Sequence, residues 1–169
     1  ISPELYLKRL LVGGYDKVYT VCKNFRNEDV DKTHNPEFTM SEFYWAFADL
    51  NDMINLTEQM VEFIAKKVNG TTKINYQGTE IDVKAPWKRI KMIDALNEKL
   101  KSDVRDMTVE ELYDIALREG LEINADERKW GLLVAELFEH FCETELIQPT
   151  WVVEYPKETT PLCKPSRED

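Results

Sequence analysis

The chain has 169 residues, of which 43% are hydrophobic, and a formal net charge of −10 at pH 7. That length supports one ordinary domain with a real core, no apolar run is long enough to span a bilayer, and the acidic balance excludes a surface built for general phosphate-backbone binding, though not specific contacts with nucleic acid by part of a larger protein. Cys22, Cys142 and Cys163 are odd in number and widely spaced. They match neither a disulfide framework nor a zinc pattern, which points to a reduced, cytoplasmic setting. Ile1 is not a start methionine, and no signal-peptide pattern follows it.

Residues 3–11 read as a short helix. Pro3 suits a first turn, Leu5, Leu7, Leu10 and Leu11 give a broad apolar side, and Gly13-Gly14 ends it. Glu4 sits at the helix start, where a carboxylate interacts favourably with the dipole.

Residues 16–49 organise the rest. Two alternating runs flank a polar turn. In the first, Val18, Thr20, Cys22, Asn24, Arg26 and Glu28 share one face, while Tyr19, Val21, Lys23 and Phe25 share the other. In the second, Phe38, Met40, Glu42, Tyr44 and Ala46 share one face, while Phe43, Trp45 and Phe47 share the other. Strand side chains alternate faces, so this predicts two antiparallel strands. The aromatic face is expected to seek a core. The opposite face, with Arg26, Glu28, Glu42 and Tyr44, is a polar set that a sheet rarely presents unless something binds it. The connection holds Asp29, Asp31, Lys32, His34, Asn35 and Pro36 without a two-residue turn signal, so the loop is long, and long loops in compact domains are often functional. Spacing alone leaves open a solvated hairpin whose polar face looks at water.

Residues 51–68 predict an amphipathic helix, with Met53, Ile54, Met60, Val61, Ile64 and Val68 at helical spacing and Asn69-Gly70 as its stop. Residues 72–76 and 79–84 form a predicted hairpin about Gln77-Gly78. Ala85-Pro86 breaks the pattern, and residues 87–92 fit strand or loop. From 93 to 146 the chain turns helical. Thr108 to Glu111 fits a capping box, and Gly120 ends that helix. Asp126 is the expected cap of a longer helix to about Cys142, burying Trp130, Leu133, Leu137, Phe138 and Phe141. His140 lies among Glu136, Glu139 and Glu143, which reads as a solvated acidic face rather than a metal site. Residues 150–155 predict a last strand, and the tail is polar and loose. The fold class expected is α+β.

The segment RNEDVDKTHNPEFTMSEFY, residues 26–44, closely resembles the second signature motif of class II aminoacyl-tRNA synthetases, in the form carried by lysyl-tRNA synthetases. Arg-x-Glu is general to the class; His-Asn-Pro-Glu-Phe-Thr followed by Glu-Phe-Tyr is narrower. PELYLKRLLVGGYDKVY upstream, and QPTWVVEYP and PLCK near the end, are also similar to lysyl enzymes. Small departures are Ser2 and Pro3 before Glu4, and Pro165-Ser166 after PLCK.

The resemblance implies an incomplete catalytic domain over 1–169, built on an antiparallel sheet with flanking helices. Residues 16–49 would be the motif-2 hairpin and 93–146 a helical segment. It implies ATP-dependent activation of lysine and transfer to tRNA(Lys). Arg26 would be catalytic, holding the lysine carboxylate and a phosphate oxygen together; its planar fork suits both. Asn27, Glu28, His34, Asn35 and Phe38 would join it on ATP, with Phe38 stacking on adenine. Glu4, Glu42 and Tyr44 would bind lysine, two carboxylates near a cation. Glu37, opposite in facing to Phe38, would hold the loop. The anticodon-binding barrel, the first motif at the homodimer interface, the Mg2+ carboxylates and the third motif would all lie outside these residues. The fragment alone would then be inactive. Two alternatives are a synthetase-like ligase attaching a lysine derivative to an elongation factor, and a non-catalytic interaction module. Phe43 and the following Ala46 to Asp49 favour the synthetase.

Overall fold

Side-chain alternation and helical periodicity both survive in three dimensions. The computed structural model describes residues 1–27, 34–160 and 162–164 and mixes helices with short strands, an α+β chain. It divides into two compact units, Ile1–Leu56 and Thr57–Asp169. Among the described residues the strands form three separate pairs, two antiparallel and one parallel. No helix among them is long and apolar enough to cross a membrane.

In the first unit, α1 (Glu4–Val12) buries Leu7 and leaves Leu5 and Leu10 exposed. It stops where Gly13 and Gly14 donate their N–H groups to Arg9 and Leu11 at 2.9 and 3.0 Å. Gly14 has φ 99°, a conformation that costs glycine nothing and strains other residues. The paired strands β1 (Lys17–Phe25) and β2 (Glu37–Trp45) follow. They run antiparallel, with Val18 opposite Tyr44, Thr20 opposite Glu42 and Asn24 opposite Phe38. The ladder continues past the strands, since Arg26 N donates to Pro36 O at 3.0 Å and Ala46 N to Asp16 O at 2.8 Å.

The expectation that the aromatic face seeks a core is overturned. Tyr19, Val21 and Phe25 are 77%, 63% and 66% exposed, and Phe43 and Trp45 are only half-buried. Phe47 leaves the strand altogether, with φ 64° and full exposure. The reason is α1. It packs against β1 and β2, and Ser2 and Lys8 reach Glu42 and Tyr44 on the polar face. Alternation decides which side chains share a face; a neighbouring element decides which face is covered.

The second unit begins within α2 (Leu50–Asn69), whose end is marked by Gly70 at φ 73°. The hairpin β3 (Lys73–Tyr76) and β4 (Thr79–Asp82) turns at Gln77 and Gly78, with φ 49° and 87°. Two positive φ values suit the twist of a two-residue hairpin. Residues 87–92, ambiguous in sequence, contain β5 (Lys88–Lys91), which pairs in parallel with β6 (Thr150–Val153). The two pairing segments are far apart in sequence, so no local signal announces the pair.

The core of this unit joins α3 (Met92–Leu100), α4 (Val109–Arg118) and α5 (Trp130–Phe141). Leu96, Val104, Leu112, Leu133, Val134 and Leu137 are fully inaccessible and pack in one cluster with Met92, Ala116 and Phe138. Burying each such leucine contributes about 1.5–3 kcal/mol. Thr108 and Glu111 form the expected capping box: Glu111 N donates to Thr108 Oγ1 at 3.2 Å, and Thr108 N to Glu111 Oε2 at 2.8 Å. The cap expected at Asp126 is not formed. Asn124 and Glu127 instead box a 3-10 turn over Ala125–Glu127, and α5 starts after Lys129 without a side-chain cap. The Asn124 backbone N–H and side-chain amide both donate to Glu127 Oε2 at 2.9 Å, and Glu127 N donates to Asn124 O at 3.1 Å, which closes that turn before the helix begins. His140 Nε2 lies 3.3 Å from Glu119 Oε2. Cys142 is buried, and burial pushes its thiol pKa up. It lines a cleft of about 350 Å³ with Lys88, Lys91, Glu98, Lys99 and Glu145.

Candidate functional site

The polar face of β1 and β2 is a half-covered surface rather than an open one. Arg26, Phe38, Glu42 and Tyr44 are all half-buried on it. At the loop end, the Arg26 guanidinium carbon sits over the Phe38 ring, 5.2 Å from its centroid. That contact holds the cation in place without neutralising it. Arg26 Nε is shielded from solvent and has no hydrogen-bond partner among the described residues. A buried N–H without an acceptor is unfavourable by about 1–3 kcal/mol until one arrives. The arrangement therefore favours an incoming anion or carbonyl oxygen.

At the other end, Glu42 is held on both sides. Ser2 Oγ donates to Glu42 Oε1 at 2.8 Å, and the Tyr44 hydroxyl donates to Glu42 Oε2 at 3.2 Å. The Tyr44 pKa is pushed up to about 12, first by burial, then by the hydrogen bond to Glu42, then by the negative charges of Glu42 and Glu4. Tyr44 thus stays a donor at any ordinary pH. Glu4, in the first turn of α1, is exposed and pairs with Lys8 Nζ at 2.5 Å. Lys8 also lies over the Tyr44 ring, 5.9 Å from its centroid. An exposed pair one helical turn apart contributes about 0.3–0.5 kcal/mol, so a second ammonium could displace Lys8 readily. Between the two ends, Asn24 Nδ2 meets Met40 Sδ at 3.3 Å and Cys22 Sγ meets Asn24 Oδ1 at 3.8 Å.

Of the residues singled out in the sequence, Arg26 and Phe38 come together at one end of this face, and Glu42, Tyr44 and Glu4 at the other. Asn27, His34 and Asn35 are exposed at the mouth of the connecting loop. Glu28 lies outside the described residues. Glu37 faces away from Phe38 and pairs with Lys23 Nζ of β1 at 2.9 Å, an exposed contact across the two strands. Ser2 was missed. Its only sequence signal was a hydroxyl residue just before a helix start, which says nothing of a partner forty positions on. Among the described residues no three His, Cys, Asp or Glu side chains are grouped to hold a metal ion.

A family model described as tRNA synthetases class II (D, K and N) matches residues 1–169, and the chain belongs to that family. The likeness narrows among individual proteins. The chain is 53% identical to a lysine–tRNA ligase of Clostridium novyi (strain NT), over 99% of its own length and 33% of that protein. It is 48% identical to a lysine–tRNA ligase of Saccharolobus solfataricus, over 99% of its own length and 34% of the relative. A third, from Clostridium kluyveri, is 49% identical over 99% of this chain and 34% of the relative. The chain thus spans about a third of the length of the curated relatives it matches. The class resemblance carried by residues 26–44 is borne out.

Proposed function

We propose that this chain supplies the ATP and lysine face of a lysine–tRNA ligase, and that the parent protein activates lysine as lysyl-adenylate before transfer to tRNA(Lys). The lysine carboxylate attacks the α-phosphorus of ATP and pyrophosphate leaves. The nucleophile is already ionised, so no base or covalent enzyme intermediate is needed; alignment and charge neutralisation are what the protein provides. Arg26 bridges the carboxylate and an α-phosphate oxygen. Phe38 steadies Arg26 on one ring face and offers the other to adenine. Asn27, Glu28, His34 and Asn35 complete the nucleotide contacts. Glu42, oriented beside a protonated Tyr44, takes the substrate ammonium together with Glu4, whose pair with Lys8 is weak enough to exchange. The parent also takes tRNA(Lys) and a homodimeric partner, in the cytoplasm, and the ligands of Mg2+ belong to parts of the parent outside these residues.

The observation that carries this reading is the shielded Arg26 Nε without an acceptor among the described residues, on the same strand face as the clamped Glu42. ATP–pyrophosphate exchange with lysine, measured on the full-length protein, tests it. Arg26→Ala removes two charge-assisted bonds worth about 1.5–3 kcal/mol each, so exchange should fall about 10²–10⁴-fold with little loss of stability. A rate within threefold of the unaltered protein would remove Arg26 from this role. The 169-residue chain alone should give no robust exchange, and robust exchange by it would overturn the view that half a site is insufficient.

A further inference from the structure

The Ser2 hydroxyl connects two carboxylates that belong to different elements. Its oxygen accepts the Glu4 backbone N–H at 3.1 Å, where the chain enters α1. The same hydroxyl donates its proton to Glu42 Oε1 at 2.8 Å on β2. A serine hydroxyl has one proton to give, so the donor side is fully committed. Tyr44 holds the other oxygen of Glu42 at 3.2 Å. A carboxylate offers about four lone-pair sites, so these two neutral donors orient it and leave capacity for a cation. One atom therefore ties the N-terminus of α1, which carries Glu4, to the strand that carries Glu42.

We propose that Ser2 is a positioning residue that sets the spacing between Glu4 and Glu42 and so tunes selection of the diamino-acid substrate by length. This rests on the reading of Glu4 and Glu42 as the lysine-binding carboxylates. Ser2 itself touches no substrate. Its removal frees Glu42 to swing about its remaining bond to Tyr44 and unties α1 from β2 at that point. The consequence falls on amino-acid binding and leaves the nucleotide end, built on Arg26 and Phe38, untouched.

Ser2→Ala, Ser2→Val and Ser2→Thr in the full-length protein, assayed by ATP–pyrophosphate exchange with lysine and with ornithine, one methylene shorter, test this. Ala and Val should raise KM for lysine about tenfold and narrow the preference for lysine over ornithine, with kcat and KM for ATP within twofold. Thr, which keeps the hydroxyl and matches Val in shape, should restore lysine KM to within about twofold of the parent. A merely structural role would instead move kcat, both KM values and thermal stability together, and would separate Thr from Val no better than size does. Lysine KM within twofold of the parent in Ser2→Val overturns the proposal while leaving the site reading intact. Absence of lysine-dependent exchange in the unaltered protein sinks the site reading and the proposal with it.

Discussion

Glu58 is a buried charged side chain of the second unit, at 3% accessibility, and its removal should be costly in a calculable way. Its Oε1 accepts two N–H groups, the Trp87 backbone at 3.2 Å and the Trp151 indole at 2.9 Å. The same two tryptophans stack with centroids 5.6 Å apart, and Trp87 Nε1 donates to Val83 O at 3.0 Å. One oxygen on α2 thereby pins the segment entering β5 and a side chain of β6. Glu58→Ala strands both donors. Each unmet donor costs about 1–3 kcal/mol, and both tryptophans are only partly buried, so the lower half of that range applies and the sum is about 2–4 kcal/mol. Glu58→Gln keeps a carbonyl acceptor and loses only charge assistance, about 1 kcal/mol. Urea unfolding followed by tryptophan near-ultraviolet circular dichroism reads both. With a slope of about 1–3 kcal/mol per molar urea, alanine should move the midpoint down by roughly 0.7–4 M and glutamine by about a quarter to a half as much. Equal shifts for the two variants would refute the reasoning, because the shared acceptor would then contribute nothing that alanine lacks.

Two further outcomes follow from the geometry. A Cβ at Gly131, in the first turn of α5, would lie 2.7 Å from Pro156 Cβ and against the mobile end of the Glu158 side chain; the ring cannot rotate away, so Gly131→Ala should lower stability by about 1–3 kcal/mol, read as a fall in thermal midpoint. The Tyr44 phenol should titrate near pH 12, above its ordinary value of 10.0. The folded state keeps that proton more tightly, so the contribution is fully present below pH 10 and lost as the pH rises to about 12. A tyrosinate absorbance titration of the unaltered chain minus Tyr44→Phe should show this; a difference centred at the ordinary tyrosine value would contradict the burial and Glu42 contact given for it.

Much of this molecule is written in short-range pattern. The period-two runs gave β1 and β2 and placed Arg26, Phe38, Glu42 and Tyr44 on one face, because the pleat alone dictates facing. Thr108 with Glu111 marked a helix start, and Gln77-Gly78 a hairpin, because backbone hydrogen bonds and positive φ values are satisfied within a few residues. Tertiary structure decided what no local pattern holds. It laid α1 on the polar face and left Tyr19, Val21 and Phe25 exposed, against the hydrophobic expectation. It joined β5 to β6, and it brought Ser2 to Glu42 and Glu58 to Trp151. Facing and capping are properties of neighbouring dihedrals, whereas coverage and long-range hydrogen bonds depend on where separate elements dock, and docking is settled by packing the whole unit at once.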